Sequence, residues 1–309
     1  MKRPCRNASQ ASIIKMRELH PIPLITLYFN WMKTKNILLI LTLFFMSSLV
    51  FGQKKTTVDI SEILTSGKLP QSLELTDDLQ KLVVTTEHFN SDIFGTFFNK
   101  IRVTGEYTRG LPNGKVKWNN VTIASSQNRE SDYTEVGKVD YMEDFTYTPS
   151  AQMMDPDNYV SFTENGALTK NLIWDMMGIE SFAWLAWNEL RLNETYKAID
   201  FNVEVDLAGQ GSFENKDVRL LWSGITVQNG EFCAIIDYQT FNNPLEVSEG
   251  DTKVKGRSHY WGTIYVSLED KQVEHAVLYE DVIMEVTIPG QSQKQLVDAV
   301  REISIKKVI

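Results

Sequence analysis

Cysteine is scarce in this sequence: the 309 residues contain two, Cys5 and Cys233. Cys5 lies in an N-terminal leader that we expect to be absent from the mature chain, so the rest cannot form an internal disulfide, although export would allow one. Cys233 stands in the middle of an alternating, strand-like stretch. A cysteine in such a place is usually a small buried hydrophobe, and we predict an unreactive thiol.

Metal-binding and nucleotide-binding motifs are also missing. His88, His259 and His275 form neither H-x-H nor H-E-x-x-H, so no metal site is predicted. The sequence has no G-x-S-x-G, no P-loop and no G-x-G-x-x-G, since Gly209-Gln210-Gly211 lacks the third glycine. It therefore predicts no metal ion and no cofactor.

A signal peptide is predicted at residues 32–52. Basic residues after Met32 precede the apolar run Ile37–Met46, and small or apolar residues lead to a mature start at Gln53. The run is too short for an ordinary spanning helix, so no integral membrane span is expected in the mature chain. Residues 1–31 precede this complete signal. We expect either a misassigned start codon, with translation beginning at Met32, or an extended n-region.

The mature chain is strongly acidic. Residues 1–52 carry seven Lys or Arg and one Glu, so a total of −9 leaves −15 on the 257 residues that follow. Nucleic acids and anionic membrane surfaces attract clusters of Lys and Arg, so neither is an expected partner. The signal and the charge together predict a soluble periplasmic or secreted protein; the oligomeric state is not determined by the sequence.

Four consecutive antiparallel strands are predicted between Asp217 and Ile288. Hydrophobic residues alternate with polar ones along each, and Asn229-Gly230 is the dipeptide that best forms a two-residue hairpin turn. Similar alternation elsewhere brings the total to about ten to twelve strands, joined by hairpins. Residues 53–309 are therefore predicted to be a single β-rich domain, a curved antiparallel sheet or half-barrel packed on a central helical segment.

That helical segment is an insertion at residues 168–190. Leu172, Met176, Ile179 and Ala183 fall at helical spacings. Gly178 costs about 1 kcal/mol relative to Ala inside a helix, so one long helix and two short helices that meet there are equally compatible with the pattern. The segment has few polar residues and must be covered, either by the sheet or by a ligand.

Aromatic residues of this helical segment and of the late strands are the candidate ligand-binding group. An apolar cavity between helix and sheet would use the same residue types as an ordinary core. A second candidate is the strand face that carries Arg257, His259 and Trp261, which could bind a carboxylate or sugar hydroxyls. The candidate ligand-binding residues are Trp174, Trp184, Trp187, Trp222, Tyr260, Trp261 and Arg257.

Catalytic candidates are Glu280, Asp237 and His259. Glu280 continues the apolar face of its strand, so it is expected to point inward, and Asp237 lies in the middle of another strand. Two inward carboxylates at a suitable separation could act as acid and base in a hydrolase or lyase. A buried Glu280 paired with an arginine would explain the same pattern without catalysis.

The stretch Gly262–Val273, G-T-I-Y-V-S-L-E-D-K-Q-V, combines a strand, a charged turn and the start of a second strand. With the helical insertion and the export signal, it resembles the half-barrel architecture of periplasmic lipoprotein-carrier and related lipid-binding proteins. The ending Val50–Gln53 also resembles signals of secreted proteins of the Bacteroidota. The resemblance implies an envelope location and a curved sheet around a hydrophobic ligand, and it transfers no functional residue.

Our first hypothesis is therefore an exported protein that binds a hydrophobic small molecule or lipid between a curved sheet and a helical lid. The second is a hydrolase or lyase that acts on a polymeric or ester substrate through inward carboxylates. The third is a structural or partner-binding domain of the cell envelope. The three differ in whether the space between helix and sheet is open or filled by side chains.

Overall fold

The computed structural model describes residues 58–163, 165–290 and 293–308. The predicted leader at residues 1–31 and signal peptide at residues 32–52 lie outside these ranges.

Thirteen strands in the described residues form one open antiparallel sheet, which confirms the predicted fold class and slightly exceeds the predicted strand count. The strand order is β4-β3-β2-β1-β13-β12-β11-β10-β8-β7, with β5 beside β3, and β9 between β10 and β6. The strands are β1 (Gln80–Asp92), β2 (Phe97–Leu111), β3 (Lys115–Ser126), β4 (Glu135–Lys138), β5 (Phe145–Tyr147), β6 (Thr195–Lys197), β7 (Glu204–Asp206), β8 (Gly211–Glu214), β9 (Arg219–Gln228), β10 (Glu231–Glu249), β11 (Thr252–Ser267), β12 (Val273–Thr287) and β13 (Gln295–Lys307).

The four strands predicted between Asp217 and Ile288 are present as β9 to β12, each paired with the next. Asn229 and Gly230 join β9 to β10 with φ angles of 53° and 86°. Both angles lie in the left-handed region that a two-residue hairpin requires, and Asn and Gly adopt it at little cost. Alternation and turn chemistry therefore set the register of this half of the sheet.

The segment that alternates from Lys138 to Thr148 is not one strand. β4 ends at Lys138, a short 3-10 helix occupies Asp140–Met142, and the chain pairs again only at β5. Asp144 has a positive φ of 54° just before β5, which an extended strand cannot contain. The alternation of Val139, Tyr141, Phe145 and Tyr147 predicts a single strand over this segment, and that prediction is wrong.

β13 lies between β1 and β12, so it joins the first strands to the last ones. Ile303 and Ile305 of β13 are fully buried on the inner face, as the alternation predicts. In register with Ile305 lies Val84 of β1, and in register with Ile303 lies Leu278 of β12. These side chains form the centre of the core.

Two α-helices occur in the described residues, α1 (Ile60–Ser66) and α2 (Gly166–Trp184). α2 is one continuous helix through Gly178, where an added Cβ would meet open space. It begins after Asn165, which has a φ of 59°. Threonine is a residue type that commonly caps a helix start, but Thr169 lies inside α2 and does not cap it. α2 packs against β11 and β12 and covers the inner face of the sheet. No helix in the described ranges is both long and apolar enough to cross a lipid bilayer.

Candidate functional site

Side chains fill the central space between α2 and the sheet. Met176 and Ile173 of α2 are fully buried, as are Tyr107, Trp118 and Trp222 from the strands. Side chains of this size at near-zero exposure indicate close packing, because protein interiors are packed as densely as organic crystals. Any ligand that reaches this part of the inner face must therefore displace α2 or enter beside it.

Four of the five tryptophans predicted to bind a ligand, Trp174, Trp184, Trp187 and Trp222, hold neighbouring parts of the chain together. Each indole N–H donates a hydrogen bond inside the protein, as buried Trp usually does. The acceptors lie in loops or short turns for three of them, and the fourth bonds its own strand. The bonds run from Trp174 Nε1 to Tyr159 Oη at 3.0 Å, Trp184 Nε1 to the Lys271 carbonyl at 2.9 Å, Trp187 Nε1 to the Pro70 carbonyl at 3.0 Å, and Trp222 Nε1 to the Gly224 carbonyl at 2.7 Å.

Tyr260 faces the same interior from β11. Its ring lies 6.2 Å from Phe182 of α2 and 6.3 Å from Tyr238 of β10. Its hydroxyl donates to Asn215 Oδ1 at 2.7 Å. Tyr260 is therefore part of an aromatic layer under the C-terminal half of α2.

Arg301 of β13 lies buried between two carboxylates. Its guanidinium forms ion pairs with Glu280 of β12 and with Asp175 of α2, and the Ser258 hydroxyl donates to Glu280 Oε1. Burial raises the pKa of Asp175 to about 6, and the charge of Arg301 opposes that rise. Glu280 does point inward, as its place in the alternation predicts. It is paired with an arginine, which is the non-catalytic explanation given above for a buried Glu280.

Glu180, one turn further along α2, forms a second buried group. It accepts a hydrogen bond from Tyr107 Oη at 3.0 Å and lies 3.6 Å from Arg109 Nε. The Arg109 guanidinium in turn lies 4.7 Å from the centre of the Trp184 ring. Burial raises the pKa of Glu180 to about 7, while Arg109 and the Tyr107 hydroxyl lower it. Both buried carboxylates of α2 are thus held by groups of the sheet.

Sequence reasoning missed Arg301 and Arg109 as partners of these acids. Arg301 was recognisable in principle, because it shares the two-residue period of Ile303 and Ile305 on β13 and must face inward with them. The pairing with Asp175 was not, because it joins positions 126 residues apart in the sequence.

The three catalytic candidates do not come together. Asp237 and His259 lie on the outer face of the sheet, whereas Glu280 lies on the inner face. Asp237 Oδ1 accepts a hydrogen bond from Thr263 Oγ1 at 2.7 Å, and His259 Nδ1 lies 3.4 Å from the Asn242 amide. The sheet itself separates the two carboxylates, so this arrangement cannot supply an acid and base pair to one substrate.

Arg257 and Trp261 also lie on the outer face, with His259 between them along β11; that the three share one face is what the alternation predicts. Trp261 is 43% exposed and stacks on Tyr279 of β12. These two members of the candidate ligand-binding group are thus separated by the sheet from the other five.

A carboxylate cluster lies where β10 and β12 begin. Glu231, Asp270 and Glu274 have oxygens within 4.8 Å of one another. Lys307 Nζ lies 2.5 Å from Glu274 and 3.6 Å from Glu231, so an ammonium group already balances part of the negative charge. The neighbouring Cys233 is buried, and burial together with these acids raises the pKa of its thiol to about 12. The thiol is therefore protonated and unreactive at neutral pH.

Beside the N-terminal end of α2 the inner face is only partly covered. A groove of about 510 Å³ runs between the first turn of α2 and strands β2, β3 and β4. Ile101 and Ile123 of the sheet and Leu168 of α2 are half-buried in it. The remaining lining is mostly polar and includes Asn99, Ser125, Gln127, Lys138 and Asn165. A second groove of about 590 Å³ lies outside the sheet-helix interface, between α1, the loop that follows it and Leu268.

No protein-family model matches this chain, and no curated protein matches it. A structure of lipovitellin, described for its lipid-protein interactions, aligns with 75% of this chain at 7% identity and a TM-score of 0.33, and the chain spans 25% of its length. A DUF1329 family protein from Desulfovibrio piger aligns with 75% of this chain and 88% of its own length, at 10% identity and a TM-score of 0.14.

Proposed function

We propose that this protein is an exported carrier or sensor that binds a hydrophobic ligand, such as a lipid chain, on the inner face of its sheet. The observation that carries the proposal is the groove at the N-terminal end of α2. There the apolar inner face continues out from under the helix, through Ile123, Ile101 and Leu168, to solvent. A volume of about 510 Å³ lies within the range of small-molecule sites.

The groove has the composition that such a ligand needs. Half-buried aliphatic side chains form its floor, and amides, a hydroxyl and Lys138 lie around it. An acyl chain would contact the floor, while a polar head would remain among the hydrogen-bonding groups at the rim. The filled interior further along α2 limits a ligand to the groove unless the helix moves.

Export is a separate part of the proposal and is supported by the signal-like sequence of residues 32–52. A location in the periplasm or outside the cell would place the protein where a carrier could exchange lipids with a membrane. The acidic charge of the mature chain favours release from an anionic membrane surface after exchange.

Gly137 offers a way to close the groove without disturbing the core. It lines the groove on β4, and a Cβ added there would meet no atom within 4 Å. We expect Gly137→Trp to fold normally and to weaken ligand binding about tenfold or more. Binding would be measured by titration with the fluorophore N-phenyl-1-naphthylamine and by mass spectrometry of lipids extracted from the purified protein.

Gly178→Trp is the matched control, because an added Cβ is equally unobstructed at Gly178 of α2, which does not line the groove. Thermal unfolding of both variants would show that each is folded. Retention of binding in Gly178→Trp and its loss in Gly137→Trp would support the proposal. Absence of both extracted lipid and saturable fluorophore binding in the unmodified protein would refute it.

A further inference from the structure

The outer face of the sheet carries an exposed aromatic surface that the proposed inner site does not use. Trp261 of β11 and Tyr279 of β12 are directly paired in the sheet. Their ring centres are 6.0 Å apart and their planes differ by 26°. Trp261 is 43% exposed and Phe241, one strand away, is 41% exposed. Exposed aromatic side chains that lie side by side, as Trp261 and Tyr279 do, often mark a binding surface.

Hydrogen-bonding side chains lie beside the two rings on several sides. In register with Trp261 lies Gln239 of β10, and in register with Tyr279 lies Glu302 of β13. The next outward pair along the same strands is His259 and Asp281. The rings therefore lie at the centre of the surface, and donors and acceptors lie at its edge.

Carboxyl groups dominate the charge of this surface. Asp281 and Asp298 lie close together on neighbouring strands. The pKa of Asp298 is raised, mainly by burial and secondly by the nearby Asp281 carboxyl group. Glu302 and Asp237 add further acidic groups, against Arg257 as the nearby guanidinium. Such a surface repels anionic ligands, including nucleic acids and phosphate headgroups.

We propose that this surface, defined by Trp261, Tyr279, Gln239, His259, Asp281 and Glu302, binds the pyranose rings of a neutral oligosaccharide. A pyranose ring presents C–H groups on its face and hydroxyls around its edge. Its face matches the exposed indole and phenol rings, and its hydroxyls match the carboxylates, the amide and the imidazole around them. The site lies on the opposite face of the sheet from the groove, so the two ligands do not compete.

The test is calorimetric titration of the purified protein with cellohexaose, maltohexaose, laminarihexaose and chitohexaose. The change in intrinsic tryptophan fluorescence on titration with each sugar provides a second measurement of binding. We expect saturable binding of at least one of these sugars. Trp261→Ala and Tyr279→Ala should each weaken it about tenfold or more, whereas Trp261→Phe should retain most of it.

Phe94→Ala is the matched control, because Phe94 is an aromatic residue that is 87% exposed and lies in the turn between β1 and β2, away from this surface. It should leave sugar binding unchanged. Absence of binding to all four sugars, or binding that Trp261→Ala does not alter, would overturn the proposal. Sedimentation that shows a dimer lost in Trp261→Ala, without sugar binding, would assign the surface to self-association instead and would also overturn it. Gly137→Trp should leave sugar binding intact, so this test is independent of the inner site.

Discussion

At the scale of single residues, Arg301 determines how two acids can be buried under α2. A buried carboxylate loses its hydration and is tolerated only when a charge or hydrogen bonds replace the lost water. Arg301 provides one guanidinium nitrogen to Asp175 and another to Glu280. The arrangement connects a helix and two strands through a single side chain.

We expect Arg301→Met to lower the free energy of unfolding by about 3 to 5 kcal/mol, because it leaves both carboxylates buried without a counter-charge. Urea unfolding followed by tryptophan fluorescence would measure the loss. The triple variant that adds Asp175→Asn and Glu280→Gln should recover a large part of it, since neutral groups need no counter-charge.

Arg102→Met is the control for that prediction. Arg102 pairs with Glu87 on the outer face, where its side chain is 44% exposed. Exposed ion pairs contribute about 0 to 1 kcal/mol, so this variant should unfold almost as the unmodified protein does. Equal effects of Arg301→Met and Arg102→Met would contradict a special role of the buried ion pairs in stability.

Glu280 illustrates what sequence reasoning reaches at this scale. The two-residue period of β12 places it on the inner face, and the structure confirms that direction. Its partner could not be predicted from β12, because Arg301 becomes its neighbour only through the pairing of β12 with β13. The same period cannot distinguish a catalytic acid from one neutralised by an arginine.

At the scale of elements, α2 is attached to the sheet by apolar packing and by carboxylates whose pKa values are raised. Glu180 has a pKa of about 7 in the folded protein, against an ordinary value near 4.5. Between those values the folded state binds more protons than the unfolded state. The stability that Glu180 contributes is therefore complete below about pH 4.5 and is lost as the pH rises through about 7.

We expect Glu180→Gln to remove this dependence. Between pH 5 and pH 8, the unmodified protein should lose stability relative to the variant, by on the order of 3 kcal/mol. The quantity to measure is the difference in unfolding free energy between the two proteins at each pH. The comparison with the variant is needed because His88 has the opposite effect on stability. Burial, and to a smaller extent the charge of Arg301, lower the pKa of His88 to about 3, so this residue makes the protein less stable as the pH falls.

Glu189→Gln is the control for pH, because Glu189 is an exposed residue just beyond the C-terminal end of α2. The difference in unfolding free energy between Glu189→Gln and the unmodified protein should stay constant from pH 5 to pH 8. A constant difference for Glu180→Gln as well would show that the Glu180 carboxyl does not titrate with a raised pKa in the folded protein.

Helix α2 also shows where periodicity is ambiguous. The apolar spacing predicted the element, but Gly178 left one helix or two equally compatible with the sequence. In the structure the helix is continuous. Ile179 lies in the core and Met177 packs against it, so the residues on both sides of Gly178 are held by tertiary contacts. Tertiary packing therefore compensates for the low helix propensity of glycine.

At the scale of the whole molecule, the sheet presents two different faces. The inner face combines apolar packing with the buried acids of α2, and at Ile101 and Ile123, beside Leu168 of α2, it reaches solvent. The outer face carries aromatic rings among carboxyl groups. Alternation predicted that Arg257, His259 and Trp261 share a face, but the contribution of Tyr279 depends on the β11–β12 register.

The proposed export gives a prediction for the N-terminal residues of the sequence. Protein recovered from the cell envelope or the medium should begin at Gln53, by intact mass and N-terminal sequencing. Leu41→Arg, in the apolar run of the signal, should block export and leave the precursor inside the cell.

Leu24→Arg is the matched control. It introduces the same charge into the leader of residues 1–31, and it should change nothing if translation begins at Met32. Loss of export in this variant would favour the extended n-region, and mature protein that still contains residues 32–52 would contradict the signal-peptide prediction.

The position of β13 has a consequence for how the chain acquires its structure. Within the described residues, strands β1 to β5 and strands β6 to β12 belong to one sheet only because β13 bridges β1 and β12. Because synthesis begins at the N-terminus, the two groups of strands can form early. They cannot be joined until residues 295–307, which form β13, have been synthesised. Pairing β1 with β13 closes a loop of about 200 residues, and contacts so distant in sequence form slowly. Completion of the sheet is thus postponed until residues 295–307 have been synthesised, so under the proposed export the two groups of strands would still be unjoined while the earlier part of the chain crosses a membrane.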